Sequence, residues 1–133
     1  QWVHSVDRLK IAQRLSEQRG SSRPELNVCV QINLSAEASK SGVALDEAQT
    51  LCDSIEALPN LRLRGLMAIP AALPDIESQR QSFRSLAIEF ARIKARYAQL
   101  DTLSMGMSND FEAAIAEGST LIRIGTAIFG PRD

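Results

Sequence analysis

The carboxyl-terminal part of the chain reads Ser104-Met105-Gly106-Met107-Ser108-Asn109-Asp110, then a short helical pattern, then Arg123-Ile124-Gly125-Thr126-Ala127-Ile128-Phe129-Gly130. Each half reads as a strand that stops at small polar residues with exposed backbone N–H groups. Gly106 and Gly125 have no Cβ, so a ligand can come close to the main chain there. Ser108 and Thr126 add hydroxyls, and helix N-termini after such turns attract anions through unpaired N–H groups and the helix dipole. If the two strands are consecutive and parallel, their ends form one cradle for a phosphate.

The residues upstream carry the same alternation. Trp2–Val6 is a short apolar run. Asp7–Arg19 is helical, with Leu9, Ile11, Ala12 and Leu15 as its stripe and Gly20 as its stop. Leu26, Val28, Val30, Ile32 and Leu34 alternate with Asn27, Cys29, Gln31 and Asn33, a strand with an amide-rich second face. Ser35–Val43 is a polar loop containing Lys40. Leu45, Ala48, Leu51, Cys52, Ile55 and Leu58 mark an amphipathic helix that Pro59 ends. Leu61–Ile69 is a strand ended by Pro70, and Ile76–Ala98 is the longest helix, with Phe83, Leu86, Ala87, Phe90, Ile93 and Tyr97 inside. Thr102–Met107 is the next strand. Asn109 with Glu112 is a capping-box variant opening a helix through about Ala116, closed by Gly118. Leu121–Ile124 is the last strand, and Thr126–Phe129 is a single helical turn.

Strands and helices alternating at this spacing give right-handed βαβ units and a parallel sheet, hence the α/β class. Five strands with four helices correspond to the second half of an eight-stranded β/α barrel; an open, doubly wound parallel sheet is the rival architecture. In a barrel, Gln31 and Asn33 point inward near the carboxyl ends of the strands. The loops after the last two strands are then the usual phosphate site. A half barrel leaves two bare sheet edges, so self-association through them is expected.

With 133 residues, the chain fits one domain; 44% hydrophobic and 23% charged residues are ordinary for a globular protein. The net charge of −1 gives no general attraction to nucleic acid or an acidic membrane. No apolar run reaches the roughly 20 residues of a membrane span. Cys29 and Cys52 have no metal-ligand spacing and read as buried free thiols of a reducing compartment; the cytoplasm is the expected location. The start at Gln1 without an initiator methionine reads as a trimmed or truncated product.

Single residues add chemistry. Lys40 is the one lysine in a loop beyond a strand end, where a lysine of lowered pKa can form an imine with an aldehyde; Lys10 and Lys94 fall on helices. Met67, at a strand end, is polarizable and suits a flat ring, although core filling explains it equally well. Arg123 needs a partner at the barrel mouth, an acidic side chain or a ligand. His4 has no partner in the sequence that makes it a general base and reads as structural.

Ser104-Met105-Gly106-Met107-Ser108 with Arg123-Ile124-Gly125-Thr126 resembles the signature of the pyridoxal phosphate homeostasis family, relatives of the alanine racemase barrel domain. Asn33-Leu34-Ser35 through Ser39-Lys40-Ser41-Gly42, and Arg64-Gly65-Leu66-Met67-Ala68-Ile69-Pro70, match the same family, and the likeness runs from about His4 to the end. The resemblance implies pyridoxal 5′-phosphate (PLP) as cofactor. Ser108, Gly125 and Thr126 would hold its phosphate, Arg123 would face its pyridine nitrogen, and Lys40 and Met67 would lie close to it. It also implies that residues 1–133 are a partial barrel domain, without the amino-terminal strands and the strand bearing the Schiff-base lysine. The expected function is PLP binding in homeostasis or delivery without catalytic turnover. The isolated chain would bind PLP weakly, or only phosphate or sulfate. An amino-acid racemase fragment and a phosphosugar-binding barrel enzyme are the alternatives; no metal site is expected.

Overall fold

Branched residues at every second position make Leu26–Asn33 a strand. In the computed structural model, which describes residues 2–34, 41–68, 75–107 and 110–123 (backbone alone at 107, 111 and 123), that strand lies inside the sheet. The elements run β1 (Trp2–Val6), α1 (Leu9–Arg19), β2 (Leu26–Asn33), β3 (Val43–Ala44), a 3₁₀ turn (Leu45–Glu47), α2 (Ala48–Glu56), β4 (Leu61–Ala68), α3 (Ile76–Arg96), β5 (Thr102–Met107), α4 (Phe111–Ala116) and β6 (Leu121–Arg123). The strands pair in the order β1-β2-β4-β5-β6, every pair parallel.

Three details depart from the sequence reading. Val43–Ala44 is not loop but a two-residue strand, β3, parallel to β2 at Ile32 and Asn33. It takes the β1 side of β2, because β4 holds the other edge up to Ile32↔Ala68 and β1 has its last pair at Val6↔Val30. The amphipathic helix begins as a 3₁₀ turn, so its α-helical part starts at Ala48. Finally, α4 has Asp110 at its N-cap, one residue after Asn109, which puts Glu112 in the second helical position rather than the third that a capping box requires.

One core unites the elements. Leu26, Val28, Val30 and Ile32 of β2, Leu61, Leu63, Leu66 and Ala68 of β4, and Leu103 and Met105 of β5 pack with Ala12 of α1, Ile55 of α2, Phe83 and Leu86 of α3 and Ala113 of α4. Burying each large apolar side chain contributes roughly 1.5–3 kcal/mol. The helices are tied to one another over this core. Glu117, after α4, accepts hydrogen bonds from Arg80 and Arg84 of α3, and Asp53 of α2 accepts from Arg96 and Tyr97. Asp75 caps α3 by accepting the Ser78 N–H at 2.7 Å.

Gly65 is where β4 and β5 come closest. It pairs with Thr102, and a Cβ built on it would stand 1.6 Å from the Thr102 carbonyl oxygen. Gly65→Ala is therefore expected to force the two strands apart and cost on the order of 3 kcal/mol. A urea midpoint equal to that of the parent chain would show that β4 and β5 do not share this register.

Candidate functional site

Parallel pairing makes all these strands end at one rim of the sheet. β5 and β6 are neighbours there, and their last pair is Met107↔Arg123. Ser108 follows Met107 by one residue, and Gly125 and Thr126 follow Arg123 by two and three, so the expected cradle residues leave adjacent strand ends. Ser108, Gly125, Thr126 and Lys40 themselves lie outside the described residues, as do the Arg123 side chain and the Thr126–Phe129 turn. β2 and β3, between which Lys40 falls in the sequence, pair at this same rim through Ile32↔Val43 and Asn33↔Ala44. Just before β3, the Gly42 N–H donates to the Asp7 carboxylate at 3.0 Å.

Met67 is described. It pairs with Gln31 on one side and Ser104 on the other, in a row that crosses β2, β4 and β5. It is 6% exposed, yet it is absent from the core cluster to which its neighbours Leu66 and Ala68 belong. Met67 therefore occupies the concave face, away from the helices, near the carboxyl rim.

The opposite rim holds a side-chain cluster centred on Arg64, which the sequence analysis did not single out as a site. The Arg64 guanidinium donates to both carboxylate oxygens of Asp101, at 2.9 and 2.5 Å, and to the Asn27 side-chain oxygen at 3.0 Å. It also lies 4.5 Å from the centre of the Trp2 ring, which in turn leans on His4. One side chain thus links the amino ends of β1, β2, β4 and β5. A groove of about 550 Å³ opens here, lined by Trp2, His4, Arg64, Thr120 and Leu121 among others. It is at the amino rim, whereas ligands of β/α barrels bind at the carboxyl rim, and its arginine is already engaged by a carboxylate and an amide. We therefore assign this groove to structure. His4 belongs to it, as a strand residue beside an aromatic ring.

Both cysteines are free and fully buried, and burial pushes each thiol up to about 12. They stay neutral at physiological pH and are not nucleophiles in the fold. Among the described residues, no group of three or more His, Cys, Asp or Glu could hold a metal, and no helix is long and apolar enough to cross a membrane. Lys10 and Lys94 are exposed on α1 and α3.

A parallel sheet with the helices of the described residues packed on one face defines part of a TIM-type β/α barrel. The family model for the alanine racemase N-terminal domain matches residues 1–133, and the chain belongs to that family. It is 58% identical over 133 residues to the pyridoxal phosphate homeostasis protein of Pseudomonas aeruginosa and 56% identical over 132 residues to that of Escherichia coli, covering 100% and 99% of this chain. In both comparisons it spans 56% of the relative's length. Among solved structures it is similar to PipY of Synechococcus elongatus with PLP bound, at 32% identity and a TM-score of 0.84, covering 97% of this chain and 60% of that one.

The amino-rim cluster has a signature in acid. Hydrogen bonding to Arg64 holds the Asp101 carboxyl below its ordinary value of 3.8, and the Thr102 hydroxyl adds to the effect. A carboxylate depressed in this way stabilises the fold fully above the unfolded value and loses that contribution as pH falls through the folded one. Asp101→Asn should therefore be less stable than the parent at pH 7, with the gap closing as pH drops below 3.8. Half of the Asp101 side chain is exposed, so the gap should stay under about 1 kcal/mol. Urea denaturation at pH 7 and pH 3 measures it, and a gap that grows in acid would refute the pairing.

Proposed function

We propose that the chain supplies the phosphate- and ring-holding part of a PLP-binding barrel that stores and hands on the cofactor without turning over a substrate. The observation that carries this reading is the parallel pairing of β5 with β6, Met107 opposite Arg123, which sends Ser108 and Gly125-Thr126 out of adjacent strand ends. The names of the relatives and the PLP in PipY support the same choice of ligand.

In this reading the Ser108 and Thr126 hydroxyls and the backbone at Gly125 hold the phosphate ester. Met67 lies against the ring, and Lys40 lies near the aldehyde end. When bound, PLP supplies an electron-withdrawing ring. Arg123, facing the ring nitrogen, disfavours its protonation, because two positive charges in contact repel. That suits a carrier better than an enzyme that needs a strong electron sink. Near the strand end where the related racemases carry a histidine, this chain has Met67, which moves no proton. This favours the carrier over the racemase.

The chain acts as a partial barrel domain in this proposal, and the remaining wall of the pocket comes from elsewhere. Binding by the chain alone is weakened accordingly, about tenfold for each 1.4 kcal/mol of contact not made. Self-association is proposed through the outer edges of β1 and β6, the first and last strands of the described sheet, where Trp2 and Leu121 are 43% and 41% exposed.

Calorimetric titration with PLP and with inorganic phosphate tests the cradle. Ser108→Ala combined with Thr126→Val removes two hydroxyl donors, each typically worth ~0.5–1.5 kcal/mol, so affinity should fall roughly tenfold or more. Unchanged affinity would sink the assignment, and a chain that responds to neither ligand is a scaffold. A second measurement addresses Lys40: borohydride reduction in the presence of PLP, followed by mass spectrometry. Lys40→Ala should abolish any trapped adduct, and full trapping in that variant would place the adduct on another amine.

A further inference from the structure

The end of β5 is not a regular strand. Between the pairs Ser104↔Leu121 and Met107↔Arg123, β5 advances by three residues while β6 advances by two, so β5 carries one extra residue, a bulge, at Met105-Gly106. Gly106 has φ +106°, a conformation that a side chain would strain. A bulge bends its strand, increases the local twist and leaves main-chain groups out of the ladder, and such features re-aim the residues that follow them. Ser108 is the second residue after Gly106.

Ser119 meets this bulge from the turn before β6. Its hydroxyl lies 2.7 Å from the Met105 carbonyl oxygen, 2.9 Å from that of Leu121 and 3.2 Å from that of Leu103. A hydroxyl has one proton, and the nearest acceptor is at the bulge itself. The Leu103 carbonyl is already served by the Thr120 N–H at 2.9 Å, and the Leu103 N–H donates to the Thr120 hydroxyl at 2.7 Å. Ser119 is in turn fixed to α4, since its N–H donates to the Ala114 carbonyl at 3.0 Å. The turn thus grips β5 at two successive places, and only the Ser119 contact lies on the irregular part.

We propose that Ser119 is a positioning residue for the phosphate cradle: its hydroxyl fixes the β5 bulge and so sets where Ser108 emerges relative to the end of β6. This rests on the cradle reading above. Ser119 touches no ligand; it acts through the Met105 carbonyl and the two residues that lead to Ser108.

The test measures the affinity of the full chain for inorganic phosphate and for PLP, well below its unfolding temperature, alongside the urea midpoint. Ser119→Ala should weaken both ligands equally, by about fivefold to tenfold, as expected for losing one hydrogen bond that orders a binding group. Ser119→Thr, which keeps the hydroxyl at a half-buried site, should restore both affinities. Ser54→Ala on α2, which removes a hydroxyl that donates to the Thr50 carbonyl of its own helix, should change neither. A purely structural role for Ser119 would lower the midpoint and leave the affinities alone, and that result overturns the proposal while the cradle stands. Loss of PLP affinity without loss of phosphate affinity would place the effect at the ring and also overturn it. If the unaltered chain binds neither ligand, the cradle reading fails and this inference falls with it.

Discussion

Parallel pairing is the constraint on which the rest depends. In a parallel sheet each strand must be returned to its starting rim by a crossover, so every strand delivers its carboxyl end to the same place. In this chain, strand ends as far apart in sequence as Asn33 of β2 and Arg123 of β6 are therefore brought to one rim. An antiparallel connection between β5 and β6 would have sent Ser108 and Thr126 to opposite ends of the sheet. The proposed cradle follows from topology first and from residue type second.

The same constraint separates the two architectures that the strand–helix order allows. A doubly wound open sheet has helices on both faces, and its strands must be apolar on both. Here residues buried from α1, α2, α3 and α4 all belong to one cluster, with one face of the sheet. The other face carries Asn27, Gln31, Asn33, Thr102 and Ser104, whose alternation with core residues is plain along β2 and β5. A polar concave face opposite a single layer of helices is the inside of a barrel. Cys29 fits there because its thiol, pushed up to about 12, behaves as a small neutral filler beside Arg64 rather than as a second charge.

Much of this was legible in the residues. Periodicity located α1, α2, α3 and β2, because burial on one face is the force that shapes them, while caps, stop signals and the strand–helix alternation placed the other principal elements of the described residues. What was not legible depends on register. β3 is two residues long and has no period to read. Asn109 and Asp110 are both good caps, and only the first helical dihedrals choose between them. Arg64 and Asp101 are 37 residues apart and are joined only once β4 and β5 pair. The bulge at Met105-Gly106 is invisible without the partner strand, although a glycine inside a strand pattern is a known sign of one. As for the site, Met67 was placed at a strand end and is there, on the concave face. Ser108, Arg123, Gly125, Thr126 and Lys40 were chosen by motif, and for these the topology speaks only through the strands that lead to them.

The two rims then divide the work in a way that elementary electrostatics accounts for. At the amino rim, Arg64 is covered by an aromatic ring and paired with Asp101, so its charge is spent within the fold and offers little to an anion. A rim that joins four strands by one guanidinium gains rigidity from that arrangement and loses any use as a phosphate site. At the carboxyl rim, a strand that ends leaves the main-chain N–H groups that follow it free of the ladder in general, and in the proposed reading a dianionic ester would satisfy several of them at once. Such binding would require that the two strand ends keep a fixed offset, since an anion shared between two turns loses a contact if either moves by an ångström or so. In the proposed reading, the bulge in β5 and the Ser119 hydroxyl that holds it lie where that offset would be set.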